Sequence, residues 1–429
     1  MDILTANDRQ GEYPNSYYTA SAYLLFAQPH LTGETKTDIC VVGGGYTGLS
    51  AALHLAQRGY DVALLEAHRV GFGASGRNGG QVGTGQRLDQ DDLEKVVGLT
   101  RARALWDMSL ESVALVKKLV EGHAIDCGLA PGVIHADHRR RFVRHSLAYA
   151  EKLNRDYGYD QISGLDRDAI RALVGTEDYH GGTLDLGAAH LHPLNYALGL
   201  ARACLAAGVR IYENSRVTSL AGGVHTAKGR VTADQVILAG NGYLDRLNPD
   251  LDRRVMPINN YIIATEPLPE KTAKALIANN HAVADSRFVI NYFRLSQDNR
   301  LLFGGTESYG YRFPAYIAAK VRKPMLRIYP ELRNTRIDYA WGGTLGITMT
   351  RMPLFSRLDN RTLTASGFSG HGVAMATLAG KLLAEASAGH LERFDLMAGV
   401  PSRPFPGGAG MRAPLLAAAM FWFSLRDRL

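Results

Sequence analysis

The chain has 429 residues, is 46% hydrophobic and 21% charged, and carries 46 glycines. That apolar content supplies two or three sizeable cores and excludes a mainly disordered chain, and the glycines lack the three-residue period of a collagen-like repeat. The net charge of +7 (48 basic against 41 acidic residues) favours an acidic ligand, an anionic membrane face or nucleic acid without choosing among them.

The stretch from Met1 to Pro14 is polar and mixed in charge, unlike a secretory signal. Thr37–Val42 reads as a short buried strand, followed by Gly43-Gly44-Gly45-Tyr46-Thr47-Gly48. Leu49, Ala52, Leu53 and Ala56 then recur at helical spacing up to a stop at Gly59, and Asp61–Glu66 reads as a second strand. This is a βαβ unit for a dinucleotide. Gly43 permits the tight turn, Gly45 lets backbone approach a pyrophosphate, and Gly48 lets the helix pack on the strands. Glu66 stands 18 residues after Gly48, where a carboxylate accepts hydrogen bonds from an adenosine ribose. NAD and FAD both use such a unit. The next segment, Gly71–Gln81, is too rich in glycine for a helix and is expected to present Ser75, Arg77 and Asn78 to a further part of the same cofactor.

Residues 89–159 read as helical and charged, and the basic run His138–Arg144 reads as a solvated helix face. Asp234–Asn241 is expected as a buried strand under the adenosine half of the dinucleotide. Residues 251–344 read as a strand-rich aromatic insert, with strands at Ile258–Thr265, Phe288–Leu295, Arg300–Phe303 and Ile337–Trp341. Leu363–Ser366 is a short strand, and the turn Gly367–Val373 opens a helix to about Gly389, whose N-terminus suits negative charge.

Other chemistries find little support. Cys40, Cys127 and Cys204 form no CxxC, which fits a reducing compartment. His190-x-His192 and His135-x-x-His138 lack further ligands at useful spacing, so no metal is expected. Gly73–Arg77 and Gly367–His371 lack the final glycine of a GxSxG elbow. No nucleic-acid-binding module is found. The apolar run Pro414–Phe423 is too short to span a bilayer, which takes about 20 residues. Ala413–Phe423 is read as core packing in preference to an interfacial anchor, and a cytoplasmic location is expected.

Thr37–Glu66 together with Gly71–Gln81 resembles the FAD-dependent amine and amino-acid oxidoreductases of the D-amino-acid oxidase superfamily, and within it the gamma-glutamylputrescine oxidoreductases of bacterial polyamine catabolism. Ser16–Tyr18, Gly187–Pro193, Val236–Asn241, Gly367–Val373, Pro404–Gly408 and Ser424–Leu429 carry the resemblance along the chain. It implies an α/β fold: a discontinuous Rossmann-type FAD-binding domain (37–88, 160–250 and 345–400), with an inserted α+β, antiparallel-sheet substrate domain (89–159 and 251–344) and terminal extensions (1–36 and 401–429). It implies FAD contacts at Gly43, Gly45, Tyr46, Thr47, Gly48, Glu66, Ala67, Gly73, Ala74, Ser75, Arg77, Asn78, Gly79, Gln81, Val217, Ala239, Gly240, Asn241, Gly370, His371, Gly372 and Val373. The FAD is expected to be non-covalent, because the cysteine that binds it in some relatives has no counterpart late in this chain.

The implied reaction is oxidation of the primary amine of a γ-glutamylated polyamine to an aldehyde, with O2 or a quinone as acceptor. The alternatives are oxidation of glycine, sarcosine, proline or a D-amino acid, and non-catalytic flavin binding at a membrane. Tyr261, Tyr292 and Trp341 are expected to line the substrate pocket, with His371 at the flavin edge and Arg294 or Arg77 meeting a substrate carboxylate.

Overall fold

The structure is a computed structural model that describes residues 2–244 and 247–406. Two sheets organise it. The first has the order Leu354–Arg357, Thr362–Ser366, Gly229–Leu238, Gly33–Val42, Val62–Leu65 and Arg210–Tyr212, with a small hairpin attached to its third strand. Its pairings are parallel apart from the edge strand Leu354–Arg357 and the hairpin. Parallel strands buried on both faces need continuous apolar runs, and Ile39–Val42 and Val62–Leu65 supply them.

Helix Tyr46–Ala56 is buried on nearly every side, as expected of a helix held between a sheet and other helices. It packs beside Gly372–Ser387 at very close range: a Cβ at Gly380 would lie 2.4 Å from the Thr47 carbonyl oxygen and 2.6 Å from Ala51 N. Ser50 Oγ donates to Thr377 O at 2.6 Å across the same seam.

The second sheet has the order Ile337–Ile347, Met256–Thr265, Leu301–Ser308, Tyr292–Leu295, Ala282–Asp285, Ala130–Ala136, Gly182–His190 and Gln81–Val82. It is antiparallel except where Ala282–Asp285 runs parallel to Ala130–Ala136. Gln81–Val82 leaves the glycine-rich loop directly into this sheet, so one short loop joins the two layers.

Three expectations about organisation change. Ile162–Leu165 and Gly182–His190, expected within the dinucleotide unit at 160–250, belong to the second sheet. The helices Gln90–Val97 and Leu99–Gly122, expected in the cap at 89–159, place Leu93, Leu105 and Val116 in one core with Leu49 and Leu53 of the dinucleotide helix. Their helical character is legible in the sequence, but the charged composition discloses neither a buried face nor its packing on the dinucleotide helix. The strand expected from Phe288 begins only at Tyr292, because the Asp285 carboxylate accepts from the backbone N–H of Arg287 and Asn291 and turns the intervening chain. The basic run is a solvated helix face only in part: Arg140, Arg141 and Arg144 are exposed on helix Arg140–Tyr157, whereas His138 and Arg139 precede it, half-buried, and His138 bonds to Ser286. Ala413–Phe423 lies outside the described residues.

His192 caps helix Pro193–Ala206: its Nδ1 accepts from Asn195 N at 3.1 Å, a bond that requires an unprotonated nitrogen. Burial, with Arg294 adding to it, lowers its pKa to about 3, and burial lowers His54 and His190 to about 4. An unfolded histidine binds a proton near pH 6.5 that these folded ones refuse. Stability therefore falls as pH drops from about 6.5 towards 4, by up to about 1.4 kcal/mol per histidine per pH unit. Urea midpoints measured across that range should show this loss, and His192→Asn, which caps without titrating, should flatten the slope.

Candidate functional site

A cavity of ≈ 830 Å³ is lined by residues of both sheets. Strand Gly33–Val42 ends at Gly43, whose φ of +112° lets the chain turn beneath Ala239 into helix Tyr46–Ala56. The Glu66 carboxylate accepts from Gly44 N at 2.7 Å and His68 N at 2.8 Å, which fixes the loop against the end of the second strand. Burial raises the Glu66 pKa against these bonds. Each of its oxygens keeps a lone pair for a ribose hydroxyl.

Of the expected cofactor residues, Gly43, Gly45, Tyr46, Thr47, Glu66, Ala67, Gly73, Ala74, Ser75, Arg77, Asn78, Gly79, Gln81, Val217, Ala239, Gly240, Asn241, Gly370, His371, Gly372 and Val373 line this cavity. Gly48 does not. A Cβ there would lie 1.9 Å from the Gly43 carbonyl oxygen, so its place is in the packing of helix on strand. Two helix N-termini, at Gly45–Thr47 and Gly370–Val373, open onto the same space and offer partial positive charge to an anion.

Within the glycine-rich loop the polar side chains are largely occupied by the protein. Ser75 Oγ accepts from Tyr46 N at 3.0 Å. Asn78 Nδ2 donates to Ala74 O and Ser75 O, and its Oδ1 accepts from Gly80 N. Arg77 is a brace: it donates to Phe72 O and Gly342 O, pairs with Asp8 at 3.0 Å, and only Nη2 lacks a partner among the described residues.

The expected substrate residues divide. Tyr292 and His371 line the cavity, whereas Tyr261 and Trp341 do not. Tyr261 packs edge-on against Phe313, with its hydroxyl bonded to Ser308. Trp341 packs on Tyr18 and donates to Arg77 O. Arg294, expected as a carboxylate partner, is buried outside the cavity and donates to the carbonyls of Gly79, Leu191 and Leu295. Its charge is held by backbone, so the carboxylate role does not fall to it. His371 bonds through Nε2 to Gly85 O at 3.1 Å, and burial, reinforced by Arg87, lowers its pKa to about 4. It is uncharged at neutral pH.

The sequence reading missed Arg87, Glu307 and Arg351, all of which line the cavity. Backbone strain marks the neighbourhood: Asn241, Thr306, Arg351 and Ser369 have φ between +48° and +64° without being glycine. Arg87 closes the glycine-rich segment in sequence, which was a usable signal. Glu307 and Arg351 reach the cavity only through pairing of distant strands.

Gly45 faces Ser75 closely, and a Cβ added there would meet Ser75 Oγ at 2.8 Å. Gly45→Val should reduce the dinucleotide content of the purified protein by about tenfold or more, read by absorbance, since overpacking costs about 1–3 kcal/mol at the binding wall. Gly59→Ala, with nothing within 4 Å of the added atom, is the matched control, though its φ of +88° costs some stability.

Residues 38–386 match the family model described as FAD dependent oxidoreductase. The chain is 44% identical over 423 residues to the gamma-glutamylputrescine oxidoreductase of Escherichia coli (strain K12), covering 97% of this chain and 99% of that one. It is 41% identical to the probable oxidoreductase OrdL of Rhizobium meliloti (strain 1021), covering 96% and 97%. Among solved structures it resembles the glycine oxidase of Geobacillus kaustophilus, with a TM-score of 0.70 at 22% identity over 84% of this chain and 98% of the other. The two-sheet fold, the cavity walled by glycine-rich backbone and the match over residues 38–386 lead to one conclusion: the chain belongs to the FAD-dependent oxidoreductase family of D-amino-acid oxidase type, and FAD is its cofactor.

Proposed function

We propose that this enzyme oxidises the primary amine of γ-glutamylputrescine, or of a related γ-glutamylated polyamine, to the aldehyde with release of ammonia. The observation that carries the reading is the 44% identity to a gamma-glutamylputrescine oxidoreductase across nearly the whole of both chains. When bound, FAD supplies the two-electron acceptor, and O2 or a quinone takes the electrons onward. The substrate loses a hydride from the carbon bearing nitrogen and a proton from nitrogen. Water then hydrolyses the resulting imine to aldehyde and ammonia.

The protein's own residues prepare that chemistry. The cavity wall includes Trp106, Leu153, Ile162 and Tyr292, an apolar surface that favours the neutral amine over the ammonium. The Tyr292 ring sits over Gly79, where an added Cβ would collide with it at 2.7 Å. His371, uncharged and held by Gly85 O, adds no repulsion to an approaching cation. The N-terminus of helix Gly372–Ser387 favours negative charge on a reduced cofactor. None of the three cysteines lines the cavity, which supports non-covalent binding of FAD, and all three are free, which supports a cytoplasmic location. Among the described residues no helix is long and apolar enough to cross a membrane.

Oxidation of glycine, sarcosine, proline or a D-amino acid is the competing activity. Anaerobic mixing separates the two: γ-glutamylputrescine should bleach the flavin while those amino acids leave it oxidised, and readmitted air should yield peroxide if O2 is the acceptor. Bleaching by the amino acids alone overturns the proposal.

A further inference from the structure

Arg87, Arg351 and Glu307 face one cavity and leave their charges largely unspent. Arg87 donates from Nε to Ser369 O at 3.2 Å, which orients the guanidinium, and among the described residues neither terminal nitrogen has a hydrogen-bond partner. Ser369 itself holds φ +53°, so that carbonyl is presented by a strained turn. Arg351 sits at φ +64°, and its side chain has no hydrogen-bond or ion-pair partner among the described residues. Glu307 accepts from the Tyr309 hydroxyl at 3.2 Å through Oε2, and Oε1 remains open. Lys320 does not neutralise it by direct contact, since Nζ donates to the main-chain oxygen of Glu307 at 2.8 Å. Neither arginine comes within the 4 Å of an ion pair with Glu307, although both lie in its field.

The two half-buried arginines repel one another across the cavity, and Glu307, in direct contact with neither, is only partly compensated by them. Burial and Arg351 lower the pKa of Arg87, and burial raises that of Glu307. A ligand carrying one anionic and one cationic group side by side relieves both strains at once. Guanidinium pairs match a carboxylate through parallel hydrogen bonds, and a buried carboxylate matches an ammonium.

We propose that Arg87, Arg351 and Glu307 form a subsite for an α-amino-acid head group, the two arginines taking its carboxylate and Glu307 its ammonium. This rests on the reading of the substrate as a γ-glutamylated diamine, whose glutamyl end carries such a head remote from the amine to be oxidised. The subsite selects the glutamylated compound over free putrescine, which has no carboxylate to offer.

The test is anaerobic flavin reduction of the holoenzyme by three compounds: γ-glutamylputrescine, N-glutarylputrescine, which lacks the α-amine, and N-(4-aminobutanoyl)putrescine, which lacks the α-carboxylate. In the parent enzyme each truncation should raise the apparent dissociation constant by about tenfold to a hundredfold, the range of a charge-assisted hydrogen bond, with little change in limiting rate. Glu307→Gln should bind γ-glutamylputrescine no better than the parent binds the glutaryl compound, and should no longer distinguish the two. Arg351→Met should likewise lose its preference over the aminobutanoyl compound. A parent that binds all three equally, or variants that keep full discrimination, overturns the subsite alone. Flavin content and melting temperature verify that the variants are folded, and the parent comparison decides should they prove unstable. If γ-glutamylputrescine reduces no flavin in the parent, the functional reading and the subsite fall together.

Discussion

The close contact between helices Tyr46–Ala56 and Gly372–Ser387 is the constraint on which the rest depends. Gly380 has no side chain because the backbone of Thr47 and Ala51 already occupies that space. The two helices begin at loops more than 300 residues apart in sequence, yet their seam brings both N-termini to one cavity. Partial positive charge from two helix ends then converges on a single cavity, and the low dielectric of a buried seam strengthens it. A bulkier residue at Gly380 would separate the ends and divide that field.

The second sheet is joined to this arrangement by the loop Gly71–Gln81, which is braced by hydrogen bonds and an ion pair despite its glycines. Arg77 ties it to the second sheet through Gly342 O and to the amino-terminal segment through Asp8. Trp341 donates back to Arg77 O, and Arg294 holds Gly79 O. Buried cations satisfied by backbone carbonyls thus replace the packing that glycines cannot provide. Tyr292, reaching the cavity from the second sheet, is positioned by the same bracing.

The dinucleotide unit was readable because its physics is local. Gly43, the apolar spacing from Leu49 to Ala56 and the carboxylate at Glu66 act within one stretch of chain, and the structure places them as that spacing requires. The helix opened by Gly372 was readable for the same reason. The substrate side was not. Tyr261 takes the opposite face of the sheet from Tyr292, while Trp341 shares that face but is covered by Tyr18, and nothing local to either residue signals it. Arg294 is as basic as Arg87, but the carbonyls that consume its charge come from Gly79, Leu191 and Leu295.

The sequence by itself therefore determined the βαβ unit, the helix that faces it, the cofactor and the family, since each follows from short-range spacing or from continuous similarity along the chain. Tertiary structure alone decided the allocation of 160–190 to the second sheet, the burial of Gln90–Gly122 against the dinucleotide helix, and the charges that line the cavity. Arg87, Glu307 and Arg351 come from three distant segments, and what leaves their charge available is that, among the described residues, none of them makes an ion pair. Availability of that kind is a property of the assembled surroundings, which no single stretch of sequence contains.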